Sequence, residues 1–252
     1  MASEIAVSAA DGVMEVRFAR PAKLNAVTAE MYGAIAEAIH EFNRTNALRT
    51  IVFTGEGAHY CAGNDLAEFL TIYSLTGGSP WRQFLEALAG IRKPVIAAVQ
   101  GRAVGIGMTM LLHCDVVYVE PDARLSAPFV NLGLSPEAGS SLLLPARVGH
   151  LRAMEIFALG RELDAETALA WNLATAVTAP GRARSTALET ASRLAGLNAE
   201  ALMQTKRLTV GDIVDIRAQI KAECEAFIGL LSTEETRHGL AALLEVRRKP
   251  RT

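Results

Sequence analysis

The stretch PVIAAVQGRAVGIGMTMLLHCDVVYV, residues 94–119, constrains the fold of this 252-residue chain more than any other. It is long enough to cross a bilayer. However, Gln100, Arg102, His113 and Asp115 interrupt it, and no apolar run reaches the roughly 18 residues that a membrane helix needs. It therefore reads as buried protein core. PVIAAV and DVVYV have the length and composition of buried strands, and GIGMTMLLHC between them reads as a helix opened by glycines. Strand, helix, strand in immediate succession is the unit from which parallel sheets are built.

The same alternation precedes it. GVMEVRFA alternates apolar and polar residues as a half-exposed strand does, and RTIVFTG is a strand closed by a glycine. TAEMYGAIAEAIHEFNRT opens on Thr28 as an N-cap and spaces its apolar residues for a helix. After the break LTGGSP, a helix runs through WRQFLEALAGI. From about residue 150 the character changes to alanine-rich amphipathic helices: HLRAMEIFALG, DAETALAWNL, RARSTALETASRLAGL and two long stretches beyond them. The expectation is an α/β core over residues 1–195 and a helical region over 196–252. The apolar stripes of that region can cover the core, a neighbouring copy, or both.

Composition excludes several function classes. With a net charge of −2 and no block of like charges, the chain lacks the footprint of a nucleic-acid binder. The expected partner is a small molecule or another copy of the chain. Cys61, Cys114 and Cys224 are scattered without CxxC spacing, which disfavours a disulfide framework or structural zinc and fits a reducing, cytoplasmic setting. The five histidines are dispersed, so no metal site is expected. MASEIAVSAADG carries no basic region ahead of an apolar stretch and does not read as a signal peptide. RRKPRT is not a peroxisomal address.

Three segments carry possible chemistry. In HYCAGNDL, small residues let a ligand approach the backbone, and the Asn64 amide lies near a helix start; Asp65 serves equally well as an ordinary cap. GRAVGIGMTM is a second glycine-flanked turn into a helix, with the Ile106 amide at its beginning. It is not a dinucleotide fingerprint, because Met110 stands where the third glycine belongs, and GLSPE is not a nucleophile elbow. Cys61 has no evident histidine base and reads as a small buried residue. In LSPEAGSS, Glu137 is either a solvated helix-start residue or a base held away from water. Two fixed amides and one carboxylate in an apolar wall suit proton abstraction next to a carbonyl, with the amides receiving the charge that develops on oxygen.

The landmarks RPAKLNAVT, HYCAGNDL, KPVIAAVQGRAVGIGMTMLLHCDVVYV, ARLSAPFVNLGLSPEAGSSLLLPARVG and STEETRHGLAALLEVRRKP resemble, in order and separation, the enoyl-CoA hydratase/isomerase (crotonase) superfamily over nearly the whole chain. That resemblance implies a spiral of ββα units, a C-terminal helical trimerisation region that covers the active site, and a homotrimer or dimer of trimers. It implies an acyl-CoA thioester as substrate, with coenzyme A part of that substrate and no separate cofactor. By the same resemblance Glu137, Asn64 and Ile106 are catalytic, the last two through their amides. Lys23, Ala62, Gly63, Asn64, Asp65, Leu66, Gly105, Ile106, Phe129 and Leu132 contact substrate, although Lys23 reads equally well as an exposed lysine with no ligand role. Residues from Leu70 to Trp81 are the expected acyl-pocket wall. Hydratases of the family carry two glutamates, at the positions of Thr109 and Phe129 here; both are missing. APFVNLGLSPEAGSS is similar instead to the Δ3,Δ2-enoyl-CoA isomerases typified by peroxisomal enzymes, in which the glutamate matching Glu137 shuttles a proton. Phe129, Leu132 and Leu134 are expected to exclude water from such a site. The competing expectations are another crotonase reaction, including hydration, and a catalytically silent acyl-CoA binder.

Overall fold

The computed structural model describes residues 4–68, 79–210 and 213–248. Strands β1 (Ile5–Ala10) and β2 (Val13–Phe18) form an antiparallel hairpin. Asp11 and Gly12 at its tip both have positive φ (50° and 80°), as a tight hairpin turn requires. Then follow α1 (Ala29–Arg44), β3 (Thr50–Gly55), α2 (Pro80–Ala89), β4 (Val95–Val99), β5 (Arg102–Val104), α3 (Ile106–Thr109), β6 (Val116–Val119) and β7 (Arg124–Ser126). The chain continues through α4 (Ser140–Val148), α5 (His150–Phe157), β8 (Leu163–Asp164), α6 (Ala165–Ala170), β9 (Ala176–Val177) and α7 (Ala183–Ala195). Helices α8 (Ala199–Val210), α9 (Ile213–Leu231) and α10 (Glu234–Arg248) end the described chain.

The larger sheet has the order β1-β2-β3-β4-β6-β9 and is parallel from β2 onward; the smaller has the order β5-β7-β8. The two ladders are wound together. After β2, β3, β4 and β6 the chain turns and lays a short segment against that of a neighbouring turn. Val27 pairs with Asn64, Cys61 with Ala103, and β5 with β7, all parallel. This is the spiral of ββα units, and it stacks the loops after β2, β3 and β4 directly on one another.

Local rules account for the elements that were legible. Thr28 caps α1, its hydroxyl accepting from the Met31 amide at 3.2 Å, and the helix buries Met31, Tyr32, Ile35, Ile39 and Phe42. At the other end Lys93 Nζ donates to the carbonyls of Phe42, Thr45 and Leu48 at 2.7–2.9 Å, satisfying the helix C-terminus and its flanking turn. Within α1, Gly33 has nothing within 4 Å of where a Cβ would stand. Gly33→Ala should therefore raise stability by about 0.5–1 kcal/mol, read from the urea midpoint at unchanged slope.

Two expectations are corrected. Strand β2 is not half-exposed: only Arg17 along it is partly open. Helix α7 lies across that face, packing Ala183, Ala187 and Ala191 on Val13, Val52, Ile96 and Ala98. The alternating acid survives burial because Arg184 grips Glu15 through two 2.7 Å bonds while Thr54 donates a third at 2.8 Å. GIGMTMLLHC is not one helix either, since α3 passes after a single turn into a tighter 3₁₀ turn over Met110–His113. Residues 94–119 do form core. No helix among the described residues is long and apolar enough to cross a membrane.

Candidate active site

The loop after β3 is held on both sides. Toward the next turn of the spiral, Cys61 N–H donates to Arg102 O and Val104 N–H donates to Cys61 O, both at 2.9 Å. Toward the previous turn, Ala62 N–H donates to Leu24 O at 3.0 Å, Val27 N–H to Gly63 O at 2.8 Å and Asp65 N–H to Val27 O at 2.9 Å. Three layers of backbone this close leave no room for side chains. A Cβ on Gly63, whose φ is +89°, would lie 2.9 Å from Val104 O, and one on Gly107 would lie 2.5 Å from Cys61 O. Asn25 fixes the stack from below. Fully buried with φ +57°, it accepts from Arg20 N–H at 2.9 Å and donates to Glu56 O at 2.9 Å and His59 O at 2.6 Å. Sequence reasoning passed over it, because an asparagine in a loop is ordinary until its partners are known.

This pairing uses the amides of Ala62 and Asp65 and not that of Asn64. Among the described residues neither the Asn64 nor the Ile106 N–H donates to a backbone carbonyl. Ile106 is the first residue of α3, where an N–H has no partner within the helix. Asn64 differs from the expectation: the helical residues begin at 66, so its amide is freed by strand-like pairing rather than by a helix start.

A cavity of about 100 Å³ lies between the two loops. Ala62, Gly63, Asn64, Leu66, Gly105, Phe129 and Leu132 all line it, together with Val104, Pro128 and Leu134. Phe227, contributed by α9, also lines it, and nothing in the sequence separates that residue from any other apolar helix position. Three of the expected contacts do not line this cavity. Ile106 turns its side chain into the core. Lys23 is exposed at the end of a 3₁₀ turn. Asp65 binds Arg20 at 2.6 Å and caps the Ala67 amide at 2.9 Å; partial burial opposes its ionisation, but these bonds outweigh it and hold its pKa below the ordinary value.

Glu137 is fully buried, and α4 begins only at Ser140, so it is not a solvated residue in a first helical turn. Trp81 Nε1 donates to its Oε2 at 2.6 Å, while Oε1 has no partner among the described residues. Burial pushes its carboxyl up to about 8; the Trp81 bond opposes that rise and the charge of Glu223 adds to it. Trp81 also stacks at a tilt on Phe227, with centroids 5.2 Å apart, so carboxylate and cavity are joined through two aromatic side chains. Trp81 closes the segment expected to wall the acyl pocket; residues 70–78 of that segment lie outside the described residues. Thr109 and Phe129 are buried and offer no carboxylate, and burial raises the Cys61 thiol to about 12, which removes it as a nucleophile at neutral pH.

Two pH effects follow from Glu137. Trp81→Phe removes a bond that favours the ionised form. The Glu137 titration midpoint should therefore move to higher pH, as infrared difference spectroscopy across a pH series will show. Because the folded pKa lies above the ordinary 4.5, the folded state retains a proton that the unfolded chain releases. The associated stability is fully present below about 4.5 and is lost as pH rises through about 8. Glu137→Gln should thus gain stability over the parent at pH 8.5 and gain less at pH 5, as thermal unfolding at the two values will show.

The sequence model of the enoyl-CoA hydratase/isomerase family matches residues 8–251. The chain belongs to that family. It is 37% identical over 182 residues to enoyl-CoA delta isomerase 2 of Rattus norvegicus, a match covering 69% of this chain and 46% of the rat protein. It therefore spans about half the length of that relative. A probable enoyl-CoA hydratase of Rhizobium meliloti is 31% identical over 235 residues, 91% of this chain and 90% of that protein. The crystal structure of an enoyl-CoA hydratase/isomerase from Pseudoalteromonas atlantica T6c superposes with a TM-score of 0.92 at 36% identity, covering 99% of this chain and all of that one. The fold is thus the crotonase fold, mixed α/β with a helical C-terminal region.

Proposed function

We propose that this crotonase family member is an acyl-CoA enzyme that converts 3-enoyl-CoA to trans-2-enoyl-CoA, with Glu137 carrying the proton. The observation that supports this reading most is that Glu137, fully buried and with a raised pKa, has an Oε1 without a partner among the described residues, while the Asn64 and Ile106 amides donate to no backbone carbonyl among them. Ionised Glu137 removes a proton from C2 of the 3-enoyl chain. The electrons move into a dienolate whose thioester oxygen takes the charge, and the amides of Asn64 and Ile106 donate to that oxygen. Protonation at C4 by the same carboxyl group moves the double bond into conjugation and restores the base. No second carboxylate is needed, which agrees with threonine at 109 and phenylalanine at 129. A base with an affinity near neutral pH is matched to both halves of this cycle.

Hydration is the second reading, favoured by the Rhizobium relative's name. Purified protein given a 3-enoyl-CoA should form the conjugated thioester without 3-hydroxyacyl-CoA. Hydration of a supplied 2-enoyl-CoA with no double-bond shift would reverse the assignment. We also infer, by analogy with the family, a homotrimer or dimer of trimers; exposed apolar side chains such as Leu151, Leu159, Leu208 and Val214 offer surface for contact between copies, and light scattering on the eluting protein checks the size.

A further inference from the structure

We propose that Glu223, acting with His113, is the positioning residue for the Glu137 carboxylate. This rests on the reading of Glu137 as the base. The two residues after Glu137 are both left-handed, Ala138 at φ +64° and Gly139 at φ +70°. For a buried alanine that conformation is unfavourable and must be held from outside. The peptide joining these residues is gripped at both ends. His113 Nε2 donates to Ala138 O at 2.7 Å, and Gly139 N–H donates to Glu223 Oε2 at 2.6 Å. The other oxygen of Glu223 accepts from the Ser141 amide at 2.8 Å and from the Ser141 hydroxyl, to which Gln219 donates in turn at 2.8 Å. Ile216 and Ile220 of α9 close over Gly139, where a Cβ would meet them at 3.3 and 3.4 Å.

A plain helix cap for α4 would need only a local serine or aspartate. The chain instead buries a carboxylate from a helix some eighty residues away, 6% exposed and with no cation paired to it among the described residues. Burial raises the Glu223 pKa, while its bonds from Ser141 and Gly139 oppose that rise and favour the ionised form; a buried carboxylate is costly unless such bonds compensate it. These bonds fix the backbone next to Glu137 and place a like charge within its field. The ionisable groups coupled to Glu137 are Glu223 and the thiols of Cys61 and Cys224; Arg82 and Glu86 act on Cys224. His113 is faced by Lys206 and Arg147. Burial, with their charges, keeps it neutral and lowers it to about 4, so it donates from Nε2 throughout the working range.

The test compares the full chain, Glu137→Gln, Glu223→Gln and the double variant. Turnover of a 3-enoyl-CoA is measured in each, and the Glu137 carboxylate is titrated by infrared difference spectroscopy. Glu223→Gln should lower kcat about tenfold at little-changed KM, since small misplacements of a reacting group act on kcat. It should also lower the Glu137 midpoint, because a like charge is removed. The double variant should be no slower than Glu137→Gln alone. Single losses that multiply in the double variant, or an unmoved midpoint, would overturn the proposal. A Glu137→Gln enzyme with the parental rate would instead sink the function proposed above, and the infrared midpoint would still decide the coupling of the two carboxylates. Should Glu223→Gln fail to fold, His113→Phe must slow kcat and His113→Gln, which keeps a donor, must restore most of it; equal rates in both count against the proposal.

Discussion

Glu137→Gln is expected to reduce isomerisation by about a hundred- to ten-thousandfold, the range over which a positioned acid–base group contributes. The substitution keeps the shape of the side chain, and its amide oxygen can still accept from Trp81 Nε1, which now sits 2.6 Å from a carboxylate oxygen. It also removes a buried ionisable group that carries a penalty above pH 8. Fold and stability should therefore survive, and the loss is chemical. Single-turnover rates with a 3-enoyl-CoA, together with a thermal melt of the same preparation, separate the two. A slow variant that melts no lower than the parent supports the assignment, and an active one ends it.

Gly107→Ala is expected to be nearly as damaging for a different reason. Gly107 has ordinary helical geometry, so an alanine there is not strained by its own backbone. The added methyl would instead stand 2.5 Å from Cys61 O and 2.9 Å from Cys61 Cβ. Backbone on both sides cannot yield cheaply, so the loops carrying the Asn64 and Ile106 amides must separate. Because one lost oxyanion donor typically costs roughly a hundred- to a thousandfold in rate, kcat should fall by about that factor. The overpacking should also cost about 1–3 kcal/mol of stability. Rates and urea midpoints measured beside the parent check both figures, and a variant within twofold of the parent in kcat would show that the loop spacing does not matter.

What could be read from the sequence was whatever local chemistry writes plainly. Thr28 before an amphipathic run specifies α1, and the interrupted apolar stretch at 94–119 specifies buried core with a strand at each end, although the helix expected between them is a single turn followed by a 3₁₀ turn. The isolation of Glu137 among small and apolar neighbours left a solvated or a sheltered carboxylate open, the family resemblance favoured the sheltered base, and Glu137 is buried. Long-range partners were not written locally. Nothing in VMEVRF shows that α7 will cover it, because the cover depends on Arg184 reaching Glu15 across the fold. Short strands such as β5 and β7 have three residues each, too few to establish a period, and exist because neighbouring turns of the spiral supply the pairing. Trp81 and Phe227 likewise look like core residues in their own helices, and only tertiary packing brings them to Glu137 and the cavity.

The stacked loops also bear on how such a chain can change over generations. The two charge-stabilising donors of the proposed mechanism belong to the main chain, so no codon specifies them. What the gene specifies there is emptiness, the missing side chains at 63 and 107 that let three layers of backbone meet. Heritable variation at those positions is confined by volume, whereas positions 109, 129 and 137 are buried and differ in what they present. A lineage can therefore exchange one reaction for another by single substitutions at the second set while the first stays fixed, and laboratory selection for new thioester chemistry should find its gains there.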